Sequence, residues 1–255
     1  MKKKIDSESY SKDSSNSFNY KPIRLNKIIS NSGICSRREA DQFIKLGMVK
    51  VNGKIITEMG HKVLPTDKIK YDGQSVKVIK PSYILLNKPK GFLAMSSGKL
   101  AKKSVQELVN LPSAQKLNSV GDMGRTVTGL LLLTDDHDLI RKINQSKKGV
   151  RMIYKIVLDK NITKSDIEIA KKPHQVFDKE IQLKDVSYVL GGTKKDLGIE
   201  CFNISPSVII KLLKKMNYTV ELLDRVTYGS LSKKELPRGN WRSLNVKELS
   251  FLKML

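Results

Sequence analysis

Cysteine and histidine are scarce in this sequence, which has two cysteines and three histidines among its 255 residues. Cys35 and Cys201 stand far apart, and neither they nor the histidines have the close spacing of metal-ligand pairs. Scattered single ligands do not make a zinc site, and two distant cysteines do not make a disulfide framework. The sequence therefore predicts neither a metal centre nor a disulfide-stabilised fold.

Long apolar runs are missing as well. No stretch approaches the roughly 18 apolar residues that a bilayer requires, so the sequence predicts no membrane span. The lysines at positions 2–4 are not followed by an apolar segment, which argues against a secretory signal. We therefore expect a cytoplasmic protein with no membrane partner.

Acidic residues are few relative to basic ones. The sequence has 25 Asp and Glu and 48 Lys and Arg, which gives a formal net charge of +23. A compact chain with this imbalance repels itself, so we expect a polyanionic partner. Nucleic acid is favoured over an acidic membrane surface, because no basic amphipathic helix stands out. Only 9 of the 48 basic residues are Arg, so phosphate attraction is retained while bidentate Arg contacts are limited.

The chain is predicted to have three parts. Residues 1–20 contain too few large apolar side chains to offset the entropy of ordering, which predicts a disordered basic arm. The sequence leaves open whether this arm settles on RNA or is inert. Residues 21–80 and 81–255 each have enough patterned apolar residues for a folded domain.

The segment 21–80 has the pattern of two helices and a few strands. Ser36 with Glu39 three residues later predicts a capping box at the start of the second helix. The predicted elements are a helix over Ile23–Ile29, a helix from Ser36 to Gly47, a hairpin turning at Asn52-Gly53 and a strand over Val63–Tyr71.

Residues 81–255 interleave strands and helices irregularly, which is typical of a mixed α+β domain. The predicted strands are Tyr83–Leu86, Gly129–Thr134 and Met152–Leu158. The predicted helices are a short one capped by Ser104, then Asp138–Ile143, Val208–Met216 and Val246–Leu255.

Three motifs follow one another in the first domain: Arg24-Leu25-Asn26-Lys27, Ser36-Arg37-Arg38-Glu39-Ala40 and Gly47-Met48-Val49-Lys50-Val51-Asn52-Gly53-Lys54. In order and spacing they resemble the α-L RNA-binding domain, the S4-like (S-four-like) domain. The resemblance implies one basic face that binds structured RNA through shape and phosphates. A helix start beside two arginines independently suits a phosphate. The RNA-binding residues predicted here are Arg24, Lys27, Ser36, Arg37, Arg38, Lys50, Asn52 and Lys54.

Further motifs mark the second domain: Asn87-Lys88-Pro89-Lys90-Gly91, Thr128-Gly129-Leu130-Leu131-Leu132-Leu133-Thr134, Arg151-Met152-Ile153-Tyr154, Leu223-Asp224-Arg225-Val226 and Leu236-Pro237-Arg238-Gly239-Asn240-Trp241-Arg242. Together they resemble the catalytic domain of the RsuA/RluB-type ribosomal pseudouridine synthases. The resemblance implies an α+β chain, a small S-four-like RNA-binding domain followed by a mixed-sheet pseudouridine synthase-type domain. In that family a flipped-out uridine stacks on a Tyr, an Asp attacks as nucleophile, an Arg pairs with this Asp, and no cofactor is needed.

The carboxylate that this chemistry needs is missing from its expected position. The family motif, of the type V-G-R-L-D-R-D-T-x-G, aligns without a gap to residues 120–129, and Gly124 takes the place of the Asp. Ile210 stands where the resemblance puts the Arg that pairs with it. Losing both halves of the pair is physically coherent, because a buried Arg without its carboxylate is costly. The resemblance thus predicts that no catalytic residue is in place.

Three residues near this vacancy have roles that the sequence leaves open. Tyr154 either stacks on an RNA base or is a core aromatic, and Arg125 either holds a phosphate or does not. Asp122 is the one substitute for the missing Asp, but two residues shift Cα by roughly 6–7 Å whereas attack tolerates about 1 Å. The acidic residues after the leucine-rich strand are interpreted as surface charges: Asp135, Asp136 and Asp138.

The sequence as a whole favours a monomeric, catalytically inactive protein that binds ribosomal RNA or an assembling ribosomal subunit. It would act as an assembly factor or as a ribosome component. The alternative is an active rRNA pseudouridine synthase that uses Asp122 or another group. A decaying relic is disfavoured, because drift would spoil turns, caps and apolar patterns as readily as chemistry. The sequence does not say which nucleotide or subunit is bound.

Overall fold

The computed structural model of the protein describes residues 22–76, 81–94, 103–111, 114, 117–146 and 148–254. The arm expected over residues 1–20 lies outside the described residues. Contacts divide the chain into two compact units, Met1–Lys80 and Pro81–Leu255. Within the described ranges, no helix is both long and apolar enough to cross a bilayer.

The first unit packs two short helices and several short strands around one apolar core. Its elements are β1 (Ile23–Arg24), α1 (Leu25–Asn31), α2 (Arg37–Lys45), β2 (Val49–Val51), β3 (Lys54–Ile55), β4 (Lys62–Val63), β5 (Ile69–Tyr71) and β6 (Gln74–Ser75). Helix α1 begins later than its apolar spacing predicts, because β1 pairs with β4. The prediction of a single strand over Val63–Tyr71 is wrong. Asp67 closes a turn within this segment, because its carboxylate accepts a hydrogen bond from the Leu64 amide at 2.7 Å.

Two local signals in this unit are confirmed. Ser36 Oγ accepts a hydrogen bond from the Glu39 amide at 3.3 Å, and the Glu39 carboxylate accepts one from the Ser36 amide at 2.7 Å. Between β2 and β3, Asn52 and Gly53 have φ values of 50° and 85°. A two-residue hairpin turn needs two such left-handed residues, and Asn-Gly adopts them readily.

The second unit is built on one large sheet with helices packed on it. Its strands are β7 (Tyr83–Lys88), β8 (Asn118–Ser119), β9 (Thr128–Thr134), β10 (Arg151–Leu158), β11 (His174–Val176), β12 (Lys179–Ile181), β13 (Asp185–Tyr188), β14 (Asp196–Phe202), β15 (Val220–Tyr228), β16 (Leu231–Ser232) and β17 (Trp241–Ser243). Its helices are α3 (His137–Gln145), α4 (Lys164–Lys171), α5 (Pro206–Lys215) and α6 (Val246–Met254), with a 3₁₀ turn over Val105–Leu108.

The strand order of the large sheet is β13-β14-β10-β15-β9-β7-β17, with β16 beside β15 and β8 beside β9. Strands β9 and β15 run parallel, and the other pairs described in this sheet are antiparallel. Every residue of β9 is buried, as expected of a central strand covered on both faces. The expected mixed-sheet α+β class is confirmed.

The sequence prediction placed no element between Leu158 and Val208, although the structure has α4 and β11 to β14 there. Most of these elements are short, with few apolar positions each, although β14 alternates Leu197, Ile199 and Cys201 with more exposed residues and was missed in the sequence. One signal was available for α4, because Thr163 and Asp166 have the spacing of an N-cap. Thr163 Oγ1 accepts the Asp166 amide at 3.1 Å.

The parallel contact at the sheet centre depends on Gly129, which has φ +104°. A Cβ built on this residue would lie 2.3 Å from the backbone oxygen of Arg225 and 2.5 Å from its nitrogen. Both atoms are backbone, so neither can move away as a flexible side chain would. Only glycine lets β9 and β15 approach in this way.

Gly129→Ala is therefore expected to destabilise the protein by about 3 kcal/mol or more, since the backbone clash adds to a positive φ. The matched control is Gly124→Ala, because a Cβ at Gly124 meets no heavy atom within 4 Å. Denaturant unfolding of both variants measures the difference. Equal stability of the two variants would contradict the close approach of these strands.

Candidate functional site

The cations expected to bind RNA on the first unit lie in three places. These places are the first turn of α2 (Arg37, Arg38), the β2–β3 hairpin (Lys50, Lys54) and the start of α1 (Arg24, Lys27). Arg38, Lys50 and Lys54 are exposed to solvent, and Arg37 is half-buried. The first unit thus carries exposed cations at the positions that the resemblance marks.

A further lysine stands beside this group and was missed in the sequence. Lys70 on β5 lies directly opposite Lys50 on β2, and both are exposed. Like charges facing each other across two strands destabilise the sheet. A bound polyanion would relieve that repulsion. The signal was the alternation of β5, in which Lys70 points away from the buried Ile69.

Two of the polar residues expected to contact RNA are engaged inside the unit. The Asn52 amide donates to Asp67 Oδ1 at 2.9 Å and accepts from the Lys68 backbone at 2.9 Å. Ser36 Oγ accepts the Glu39 amide in the capping box. In this conformation both side chains hold backbone in place, so they position the cations beside them.

The second unit contains a cleft of about 270 Å³. Strands β10 and β15 form one wall, the segment before α5 forms another, and the loop before β9 and helix α3 complete it. The lining residues are Val120, Gly121, Asp122, Ile143, Asn144, Met152, Tyr154, Asn203, Ile204, Ser205, Pro206, Arg225 and Tyr228. The cleft brings together residues that are up to 108 positions apart in the chain, from 120 to 228.

Tyr154 lies in the wall of this cleft and is fully buried. Its hydroxyl lies 3.2 Å from Met152 Sδ and 3.4 Å from the Ile204 carbonyl oxygen. Burial raises the pKa of this phenol, so it stays neutral. With no exposed ring face, Tyr154 is a core aromatic here, and stacking on a base would require the cleft to open.

Arg225 is the buried cation of the cleft, with 2% of its surface exposed. Its Nε donates to the Leu130 carbonyl at 2.6 Å, and its guanidinium lies 4.8 Å from the centre of the Tyr228 ring. Its Nη2 has no hydrogen-bond partner among the described residues. Arg225 belongs to the motif Leu223-Asp224-Arg225-Val226, which by itself predicts no role for this residue. A buried guanidinium without a carboxylate partner is unusual, because an unpaired charge is costly there.

The three positions that the family resemblance connects with the chemistry lie in different surroundings. Gly124 is exposed, has an ordinary φ and has open space where a side chain would project. Ile210 is half-buried on α5 and packs on the apolar core. Neither lines the described part of the cleft, whereas Asp122 does so and is exposed at its rim. The nearest acidic side chain to this cleft in the motif is thus Asp122, two residues before the expected position.

The loop that carries Gly124 is held by a buried lysine. Lys88 at the end of β7 is fully buried, and its Nζ donates to the carbonyl oxygens of Gly124 at 2.9 Å and Val127 at 2.6 Å. Burial, together with the positive charges of Arg125 and Arg238, lowers the Lys88 pKa to about 8. Because Lys88 bonds to backbone oxygens, it positions the loop whatever side chain stands at 124.

A buried carboxylate balances this concentration of positive charge. Asp224 on β15 accepts hydrogen bonds from Thr128 Oγ1 and Arg238 Nη1, each at 2.7 Å, and forms an ion pair with Lys233. Burial raises the pKa of Asp224, but the hydrogen bonds from these three side chains outweigh it and bring the pKa to about 2. Asp224 therefore stays ionised and ties β15 to the start of β9.

The structure bears on two further interpretations made from the sequence, those of Arg125 and of Asp136. Arg125 Nη1 donates to the Gly91 carbonyl at 2.9 Å, so this exposed arginine ties two loops together. The interpretation of Asp136 as a surface charge is wrong. The Asp136 carboxylate caps α3 and accepts a hydrogen bond from the Tyr83 hydroxyl at 2.7 Å. Asp135 likewise accepts from the Ser82 amide at 2.7 Å.

Comparison with known proteins identifies both units. Residues 82–196 match the family model described as RNA pseudouridylate synthase, and residues 23–69 match the S4 domain. An RNA pseudouridine synthase of Aquifex aeolicus is 33% identical, covering 91% of this chain and 97% of that protein. The chain belongs to the RNA pseudouridine synthase family, of the RsuA/RluB type.

Named relatives and a solved structure agree with this assignment. The dual-specificity RNA pseudouridine synthase RluF of Escherichia coli is 30% identical over 89% of this chain and 77% of that protein. The ribosomal large subunit pseudouridine synthase B of Bacillus subtilis is 38% identical over 51% of this chain and 53% of that protein. A crystal structure of a pseudouridylate synthase has the same fold, with a TM-score of 0.60 at 22% identity over 90% of this chain and 99% of that one.

The depressed pKa of Asp224 predicts a pH-dependent loss of stability in Asp224→Asn. At neutral pH the variant is expected to be less stable by about 2 kcal/mol, because an unfolded Asp has a pKa near 3.9. A group whose folded pKa is lowered stabilises the fold above its unfolded pKa and loses this as pH falls. The difference should therefore shrink between about pH 4 and pH 2.

Denaturant unfolding at a series of pH values measures this difference. Asp138→Asn is the control, because its ion pair with Arg141 is largely exposed, with 45% and 61% of the side chains accessible. It should change stability little at any pH. If the free energy of unfolding of Asp224→Asn is lower than that of the wild type by the same amount at every pH, the charge of Asp224 does not contribute to stability.

Proposed function

We propose that this protein binds ribosomal RNA, or a ribosomal subunit during assembly, as a monomer and without converting uridine. Such a role implies a cytoplasmic location, where ribosomes are found. Membership in the RNA pseudouridine synthase family and the S4 domain support an RNA ligand. The relative named for the ribosomal large subunit supports rRNA in particular.

The proposed absence of catalysis rests on Gly124, which the motif over residues 120–129 places where the family has its nucleophilic Asp. Glycine has no group that can attack the glycosidic carbon, accept a proton or pair with a cation. Arg225 is consistent with this proposal, since Nη2 of this buried cation has no hydrogen-bond partner among the residues that the structure describes. Ile210, packed on the core, supplies no second cation.

Affinity for RNA is attributed to phosphate contacts from many cations. The net charge of +23 comes mostly from lysine, which attracts phosphates without needing a fixed bidentate geometry. Arg37 and Arg38 at the start of α2, with the opposed Lys50 and Lys70, provide a dense group on the first unit. Such a surface binds RNA by charge and shape more than by base sequence.

A second candidate function is an active rRNA pseudouridine synthase that uses Asp122. Two observations favour it: the relatives are named as synthases, and Asp122 lines the cleft together with Tyr154 and Arg225. Against it stands the displacement of two residues, roughly 6–7 Å along an extended chain. Nucleophilic attack requires the reacting atoms within about 3–3.5 Å, so the loop would have to be rebuilt on binding.

The purified protein is expected to form no pseudouridine in unmodified rRNA, because it has no nucleophile in place. Carbodiimide-based mapping of the incubated rRNA detects the product at single nucleotides. A site-specific product would refute the non-catalytic proposal. Its loss in Asp122→Ala, with RNA binding unchanged, would then assign the nucleophile to Asp122.

Phosphate-led binding predicts that affinity for rRNA falls steeply with salt concentration. Arg37→Ala combined with Arg38→Ala should lower affinity and reduce the slope of log K against log salt by up to about 2. The same change is expected to reduce co-sedimentation with ribosomes. The control, Lys164→Ala with Lys247→Ala, removes equal charge from exposed positions of the second unit. Equal effects of the two double variants would show that the RNA face is not at α2.

A further inference from the structure

The hairpin formed by β11 and β12 ends in an unusual turn. The two strands pair from His174–Ile181 to Val176–Lys179, which leaves Phe177 and Asp178 as the turn. Both have positive φ values, 49° and 58°. A turn of this kind favours Asn and Gly, and a bulky aromatic residue in the left-handed region is strained. Strained backbone of this sort is a starting point for a functional hypothesis.

The side chain of Phe177 buries little surface in the fold, so packing does not compensate for the backbone strain. It is 58% exposed, so most of its apolar surface faces water. Lys211 Nζ on α5 lies 6.0 Å from the centre of its ring, at the outer limit of a cation–π contact. Stability does not explain why an exposed aromatic ring stands beside a lysine on a strained stretch of backbone.

Helix α5 presents two lysines to this hairpin, Lys211 near the Phe177 ring and Lys215 at the Gln175 carbonyl. Lys211 and Lys215 are four residues apart on one face of α5, an arrangement that repels in the free helix. Lys215 Nζ also donates to the Gln175 carbonyl at 2.6 Å, which fixes the hairpin against the helix. The exposed charges on the hairpin itself are Asp178, Lys179 and Glu180. Lysines on the helix face thus add positive charge to a hairpin with mixed charges.

We propose that the ring of Phe177 stacks on an unpaired nucleobase of bound RNA, while Lys211 and Lys215 contact the phosphates on either side. Aromatic rings beside basic groups bind single-stranded RNA in this way, and stacking tolerates any base because each has a π face. The proposal rests on the RNA binding proposed above and adds a second contact site on the second unit.

The course of α5 connects this contact to the cleft. The helix begins at Pro206, which lines the cleft, and Lys211 lies five residues further, about 7.5 Å along the axis. That rise is close to the spacing of one or two nucleotides of extended RNA. An RNA segment at the cleft mouth would therefore reach Phe177 by following the helix.

Phe177→Asn tests the proposal with a variant that suits the turn. Asn adopts positive φ more easily than Phe, so thermal stability should be unchanged or higher. Affinity for an rRNA fragment with unpaired loops is expected to fall about 5- to 150-fold, the range for one lost stacking contact. Filter binding at fixed salt measures the affinity. Wild-type affinity in a folded Phe177→Asn variant would overturn the proposal.

Two further substitutions separate stacking from simple apolar contact. Phe177→Tyr keeps the ring and should bind like the wild type, within about twofold. Phe177→Leu keeps apolar surface and a comparable backbone strain but removes the ring, so it should bind as weakly as Phe177→Asn. If Phe177→Leu binds like the wild type, the aromatic ring is not needed for RNA binding and the stacking proposal is wrong.

The same assay distinguishes failure of this inference from failure of RNA binding as a whole. If Arg37→Ala with Arg38→Ala weakens binding but the Phe177 variants do not, the inference fails and the proposed function stands. If the wild-type protein binds rRNA no better than unrelated polyanions such as heparin, the proposed function itself fails. Lys211→Ala with Lys215→Ala is expected to reduce the salt dependence of binding, with a slope lower by about 1.4. An unchanged slope would show that Lys211 and Lys215 do not contact phosphates of the bound RNA.

Discussion

The parallel contact between β9 and β15 is the constraint on which the second unit depends. Gly129 permits it by having no side chain where the backbone of Arg225 passes. The contact buries Asp224, whose negative charge is retained because Arg238 and other donors surround it. Arg238 also reaches the carbonyl oxygen of Lys88. One buried charge at the sheet centre thus links β15, the start of β9 and the segment that carries Arg238.

This arrangement separates the stability of the scaffold from its chemistry. Lys88 holds the loop before β9 through the backbone oxygens of Gly124 and Val127, so the identity of the side chain at 124 does not matter to it. A catalytic carboxylate can therefore be lost while the cleft, its buried Arg225 and the sheet remain. A chain with this scaffold therefore keeps the family's fold whatever residue stands at position 124.

Several features of the free protein have an unfavourable local energy that bound RNA would relieve. Lys50 and Lys70 repel each other across two strands, and Phe177 combines a strained backbone with an exposed ring. Arg225 has a buried nitrogen without a partner among the described residues. Under the proposed RNA binding, phosphates would neutralise the first pair and a base would cover the ring.

The sequence by itself determined the features that depend on neighbouring residues or on residue identity. The capping box at Ser36, the turn at Asn52-Gly53, the two domain types and the glycine at position 124 were all evident from it. Only the tertiary structure showed that Nη2 of the buried Arg225 has no hydrogen-bond partner among the described residues and that Asp122 lies at the cleft rim. These facts depend on the register of β10, β15 and β9, strands far apart in the chain. Local sequence patterns carry no information about such a register, because it is set by packing across the whole sheet.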